Sequence, residues 1–118
     1  MKVLKVDAMN ANGWMYPRDV IEQAIANMKP SLPVATEIGI PVQLSNIIGT
    51  ASDARIDEDG WVSMEITPCT KMLEDLLASG FDVVAIGTAN LDDNGLASNY
   101  QFDHTAVLPP GTRVSYET

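Results

Sequence analysis

The chain has 118 residues, 46% of them hydrophobic and 19% charged, with a formal net charge of -9, which fits one globular domain with one modest core and excludes a disordered segment. That acid excess repels nucleic-acid phosphates and anionic membranes, so neither is an expected partner, and its remaining uses are solubility or electrostatic docking onto a basic protein surface. A single cysteine, Cys69, rules out an intramolecular disulfide and a multi-cysteine zinc site.

The first segment, Met1 to Ala8, is partly β-branched and reads as a strand. Asn12-Gly13 marks a turn, and Pro17 suits the first turn of a helix, where its missing N–H goes unused. Val20, Ile21, Ala24, Ile25 and Met28 then recur at helical spacing as one apolar stripe, and Pro30 and Pro33 end that helix at or before Lys29. Val42 to Ile56 reads as mostly extended, with a bend or bulge at Gly49. Asp57 to Gly60 forms a hairpin turn into "WVSMEI", which alternates as a half-buried strand does and leaves the face of Trp61 open.

In "TPCTKMLEDLLASG", Thr67 is the expected cap, Pro68 the first helical residue and Gly80 the left-handed end. Met72, Leu73, Leu76 and Leu77 form the stripe expected to be buried. "FDVVAIG" reads as a central strand by its continuous apolar run. Asp92 to Gly95 makes a turn, "YQFDHTAVL" alternates toward Leu108, and a last strand is expected at Arg113 to Tyr116. With roughly six strands and two helices, the expected fold is mainly β (α+β), a small, partly closed β-barrel with both helices outside. No linker divides the chain, so residues 1–118 form one domain.

Few residues invite chemistry. Asp53, Asp57, Glu58 and Asp59 lack the alternating ligand ladder of a calcium loop, and Asp92, Asp93 and Asn94 read the same way, so no metal site is expected. His104 is the only histidine. Strand alternation places it on the face of Phe102 and opposes a pairing with its neighbour Asp103. Cys69 falls where a helix dipole lowers a thiol pKa, yet one cysteine in an amphipathic helix ordinarily packs. No glycine-rich phosphate loop and no other cofactor signature is present. Trp14 and Tyr16 are candidates for an exposed aromatic patch that anchors a protein partner, with Asp57, Glu58 and Asp59 as candidate charged contacts.

The order and spacing of the remaining motifs resemble the prohead (head maturation) serine proteases of tailed bacteriophages, from about Asp7 to Pro110. Asn12, Gly13, Tyr16 and Pro17 match that family's N-G-R-x-Y-P motif, and Thr67, Pro68 and Lys71 match its T-P-x-G-K segment. The family's histidine stretch, G-E-L-D-H-P, corresponds to Thr36 through Pro41 and puts Ile40 at the histidine. Its nucleophile stretch, G-[IV]-S-S-R-G, corresponds to Ala85 through Asn90 and puts Gly87 and Thr88 at the paired serines. An isoleucine has no lone pair with which to take a proton from a hydroxyl. The resemblance therefore implies a non-catalytic barrel, its former groove closed by an apolar residue and a glycine.

The resemblance further implies a phage structural protein, made in the host cytoplasm and carried on the virion's capsid surface. The expected role is that of a decoration or cement protein, a homo-oligomer bound to the major capsid protein. The alternatives are a phage assembly factor or an inhibitor binding another phage or host protein, and an altered protease using Thr88 or Ser79 with His104. No segment reaches the roughly 18 apolar residues of a membrane span, and none resembles a signal peptide.

Overall fold

The computed structural model describes residues 1–112, so the strand expected at Arg113 to Tyr116 lies outside the described residues. Strand β1 (Lys2–Lys5) is followed by helix α1 (Arg18–Asn27), β2 (Ser31–Ala35), a short 3₁₀ turn (Leu44–Asn46), β3 (Ile47–Ile56) and β4 (Trp61–Pro68). Helix α2 (Lys71–Ala78), β5 (Asp82–Leu91) and β6 (Ala97–Leu108) complete the order. The six strands form one sheet in the order β1-β4-β3-β2-β6-β5. Its end strands β1 and β5 lie side by side, so the sheet curls into a nearly closed barrel with the two helices outside, as the sequence pattern predicts.

The strand the pattern misses is β2. Pro33 lies inside it and argues against a sheet interior. The parallel ladder to β6 starts only at Val34↔Thr105 and Ala35↔Ala106, so Pro33 precedes the position where a donor toward β6 is needed. The Thr105 hydroxyl donates to the Pro33 carbonyl at 3.0 Å and closes that end. Conversely, β5 ends the ladder order rather than holding its centre. Its apolar run is buried because barrel curvature brings β1 against it.

The α1 stripe behaves as its spacing predicts: Ile21 and Ala24 are buried, and Val20, Ile25 and Met28 pack against the core. Pro17 caps α1 rather than opening it, and the Asp7 carboxylate accepts from the Arg18 N–H at 3.0 Å, which satisfies one of the free donors of the first turn.

At α2 the boundary moves by one turn. Pro68 ends β4, and Thr70 is the cap, its hydroxyl accepting from the Leu73 N–H at 3.3 Å. Leu73 is buried and Leu76 and Leu77 pack on the core, but Met72 faces solvent. Gly80 takes φ +85 as expected. Its N–H bonds the Leu77 carbonyl and that of Phe81 bonds the Leu76 carbonyl, the paired closure of a Schellman end.

The alternation expected for β4 holds only in its second half, since Trp61, Val62, Ser63 and Met64 are all buried. Trp61 is covered on one side of the barrel by the Lys2 and Lys5 ammonium groups, 5.5 and 5.6 Å from its ring centre. The irregularity expected at Gly49 lies beside it, where Val34↔Gly49 is followed by Ala35↔Ile47. A second bulge falls at Asp53, which takes φ 56.

Candidate functional site

The histidine is where the sequence reading fails most usefully. Along the β5–β6 ladder Ile86 opposes His104 while its neighbour Gly87 opposes Phe102. Strand β6 thus carries one extra residue, Asp103, and a bulge of this kind breaks side-chain alternation. Two expectations are corrected by that one insertion. His104 and Phe102 lie on opposite faces, and Asp103 does reach its neighbour: its carboxylate is 2.6 Å from His104 Nδ1.

The other ring nitrogen, Nε2, is 2.8 Å from the Glu37 carbonyl oxygen, and the side chain is fully buried. Both partners are oxygen acceptors. Each ring nitrogen is thus within hydrogen-bond reach of an oxygen, with the donor and acceptor roles set by the tautomer. Neither ring nitrogen faces a serine or threonine hydroxyl. Thr88 is exposed on β5 opposite Gln101, and the Ser79 hydroxyl donates to the Asp75 carbonyl at 2.9 Å. The structure brings neither to the imidazole. Cys69 is exposed and lies just before the α2 cap rather than in the helix, with its N–H donating to the Ile48 carbonyl.

The positions matched to the protease motifs divide between surface and core. Ile40 does not close a groove; it is 47% exposed on the loop between β2 and the 3₁₀ turn. That loop is pinned at its base by the Thr36 N–H to the Asn46 carbonyl and internally by the Gln43 N–H to the Glu37 carboxylate. Gly87 points the other way. A Cβ there would stand 2.3 Å from the Gln101 carbonyl oxygen and 2.6 Å from the Tyr100 ring, so only glycine fits beneath Tyr100.

Of the predicted protein contacts, Trp14 is the exposed aromatic at 39%. Asn10 holds its loop, its side-chain oxygen accepting from the Asn12 and Trp14 N–H groups at 2.9 and 3.1 Å. Tyr16 is instead part of the core edge, its ring 5.2 Å from that of Tyr100 in an edge-to-face contact. Burial pushes its hydroxyl above the ordinary tyrosine pKa. Met15, between the two, bridges to both Met9 and Leu96.

The acidic hairpin is largely self-satisfied. Asp57 accepts from the Ser63 hydroxyl at 2.6 Å, and Asp59 pairs with Lys2 at 3.2 Å. Desolvation pushes the Asp59 carboxyl up, but the bonds from Lys2 and the Trp61 N–H outweigh it and hold the group below its ordinary range. Glu58 is exposed. Asp92 accepts from the Asn94 and Leu96 N–H groups at 2.8 and 2.9 Å, as a turn aspartate does. Among the described residues no three His, Cys, Asp or Glu side chains come together as a metal site.

One feature escaped sequence reading altogether. A groove of about 830 Å³ runs between α1 and β6. Asp19, Gln23 and Asn27 line one wall, and their spacing of four puts them in a single row on the helix. The other wall takes every residue from Ser98 to Asp103. The register shifts at Asn99 and Asp103 break side-chain alternation in this stretch, so successive residues line one groove. Asn99, at φ 54, marks a further irregularity of β6 there. A row of polar helical residues ordinarily reads as a solvated face, and nothing in the sequence pairs it with the β6 strand that faces it.

A family model described as alpha-amylase C-terminal matches residues 40–80, which hold the 3₁₀ turn, β3, β4 and α2 and amount to well under half of the chain. No curated protein matches the chain, and no solved structure does so.

Proposed function

We propose that this chain is a non-catalytic structural protein of a tailed phage, a decoration protein bound to the major capsid shell. The reading rests on the motif resemblance to prohead proteases, and the observation that carries it furthest is the condition of His104. The one histidine is buried and both of its ring nitrogens are committed to oxygen acceptors, so it is positioned to hold the loop after β2 rather than to take a proton from a nucleophile. Gly87 supports the same reading, because the space a serine needs is filled by Tyr100 and the Gln101 carbonyl. A scaffold that has exchanged its acid–base groups for packing is left with its surface as its means of action.

The surface offers a net charge of -9 and Trp14 on a hydrogen-bonded loop. Such a rigid aromatic contributes contact area at little entropic cost and suits a partner with an apolar pocket and a basic rim. Quantitative mass spectrometry of purified mature particles of the encoding phage tests the proposal. The expected result is a copy number comparable with that of the major capsid protein. Absence from the particles sinks it and favours an assembly factor or an inhibitor.

A further inference from the structure

We infer that the loop between β2 and the 3₁₀ turn is a self-association surface, on which Ile38, Ile40 and Leu44 of one chain meet the same residues of a second copy across a two-fold axis. This inference goes beyond the capsid role proposed above and does not rest on it.

The argument begins with what holds the loop. His104 Nε2 lies 2.8 Å from the Glu37 carbonyl oxygen, and the Gln43 N–H donates to the Glu37 carboxylate. The Thr36 N–H donates to the Asn46 carbonyl at 3.0 Å, and the Asn46 N–H to the Gln43 carbonyl at 2.9 Å. A loop fixed at its ends and across its middle has little freedom to fold its side chains inward. Ile38 is 61% exposed, Ile40 47% and Leu44 84%. Single apolar residues on a surface need no explanation, but three large aliphatic side chains within seven residues form a patch. Because the hydrogen bonds already order the backbone, covering that patch costs little further conformational entropy.

Charge selects the occupant. No charged residue lies between Glu37 and Asp53, the longest such run in the chain, and the Glu37 carboxylate turns back into the loop. Elsewhere the acid excess of a chain at -9 repels a second copy and attracts a basic partner. The exposed Trp14 fits the latter case, since the Met15 N–H joins its loop to the Gly95 carbonyl, in the turn that carries Asp92 and Asp93. The patch at Ile38, Ile40 and Leu44 offers a basic partner no such attraction, and it lets two like-charged copies meet without opposing acidic side chains. A contact that set each patch against the other copy's acidic surface would bury apolar groups against charge. The isologous arrangement, patch on patch, follows. A loop of this length falls short of the about 20–30 residues a side of a standard interface, and a dissociation constant of about 10–100 μM is expected.

The test is sedimentation of the purified full chain from about 1 μM to about 1 mM, at about 20 mM and about 500 mM NaCl, which changes the screening of like charges. The comparison is with the Ile38→Asp/Leu44→Asp double variant, whose positions are exposed and whose thermal melt is expected to match that of the parent. The parent is expected to dimerise, more tightly at high salt than at low salt, and the double variant about tenfold or more weakly. Trp14→Ala should leave the dimer unchanged. In the parent, amide hydrogen exchange between Ile38 and Leu44 should slow as concentration rises, a readout that needs no variant. A chain that stays monomeric throughout, a dimer that the double variant leaves intact, or one that salt weakens overturns the inference.

Particles separate this inference from the capsid role. A chain present at capsid copy number that is monomeric in solution overturns the loop contact and leaves the decoration role standing. A chain absent from particles that still dimerises through this loop supports the contact and removes the capsid as its partner.

Discussion

Gly87→Ser is the sharpest test of how tightly Gly87 is packed into the fold. In Gly87→Ser the new Cβ is placed 2.3 Å from the Gln101 carbonyl oxygen, 2.6 Å from the Tyr100 ring and 2.7 Å from its hydroxyl, against a limit of 3.0 Å that real Cβ atoms essentially never cross. The nearest atom is backbone of β6, the strand paired with β5 across this position, so relief requires the ladder itself to move. Tyr100 is 6% exposed and in edge-to-face contact with Tyr16 and Phe102, which leaves its ring little freedom to swing aside. Overpacking of this kind costs about 1–3 kcal/mol. With backbone as the obstacle, the upper end is expected, about 3 kcal/mol, which for a domain of this size lowers Tm by roughly 10 °C. Urea denaturation followed by tryptophan fluorescence measures it, with Thr88→Ser as the exposed neighbour expected to stay within about 0.5 kcal/mol of the parent. An unchanged urea midpoint for Gly87→Ser would refute the packing argument.

His104→Ala strands the Glu37 carbonyl and the Asp103 carboxylate and opens a cavity, so a loss of about 3 kcal/mol is expected; a loss under about 1 kcal/mol in urea denaturation contradicts the anchoring role. Thr70→Ala should cost about 1 kcal/mol of stability through loss of the α2 cap, while Thr67→Ala should cost less; the reverse order in thermal melts places the cap where sequence alone puts it. Burial raises the Tyr16 pKa above 10.0, so the folded state binds its proton more tightly than the unfolded state does. That stability is fully present below about pH 10 and is lost as pH rises through the raised folded value. Tyr16→Phe should flatten the alkaline fall in Tm, and an equally steep fall in the variant rejects this coupling.

Local patterns were enough to reveal the outline of this protein. The stripe on α1, the glycine end of α2, the hairpin at Asp57 to Gly60 and the apolar β5 all follow from spacing and turn chemistry, which act within a few residues and are written in order along the chain. The barrel class follows from them because amphipathic strands must bury one face.

Other features depend on which strands meet. Pro33 belongs to a sheet because the β6 ladder begins one residue later. Trp61 and Ser63 are buried because neighbours far away in sequence cover them. The pairing of Asp103 with His104 exists because β6 carries an extra residue relative to β5, and a bulge is a property of two strands in register rather than of either sequence alone. The groove beside α1 has the same origin. It lies where α1 meets β6 between Met15 and β2, and only the tertiary arrangement of those elements determines where it falls.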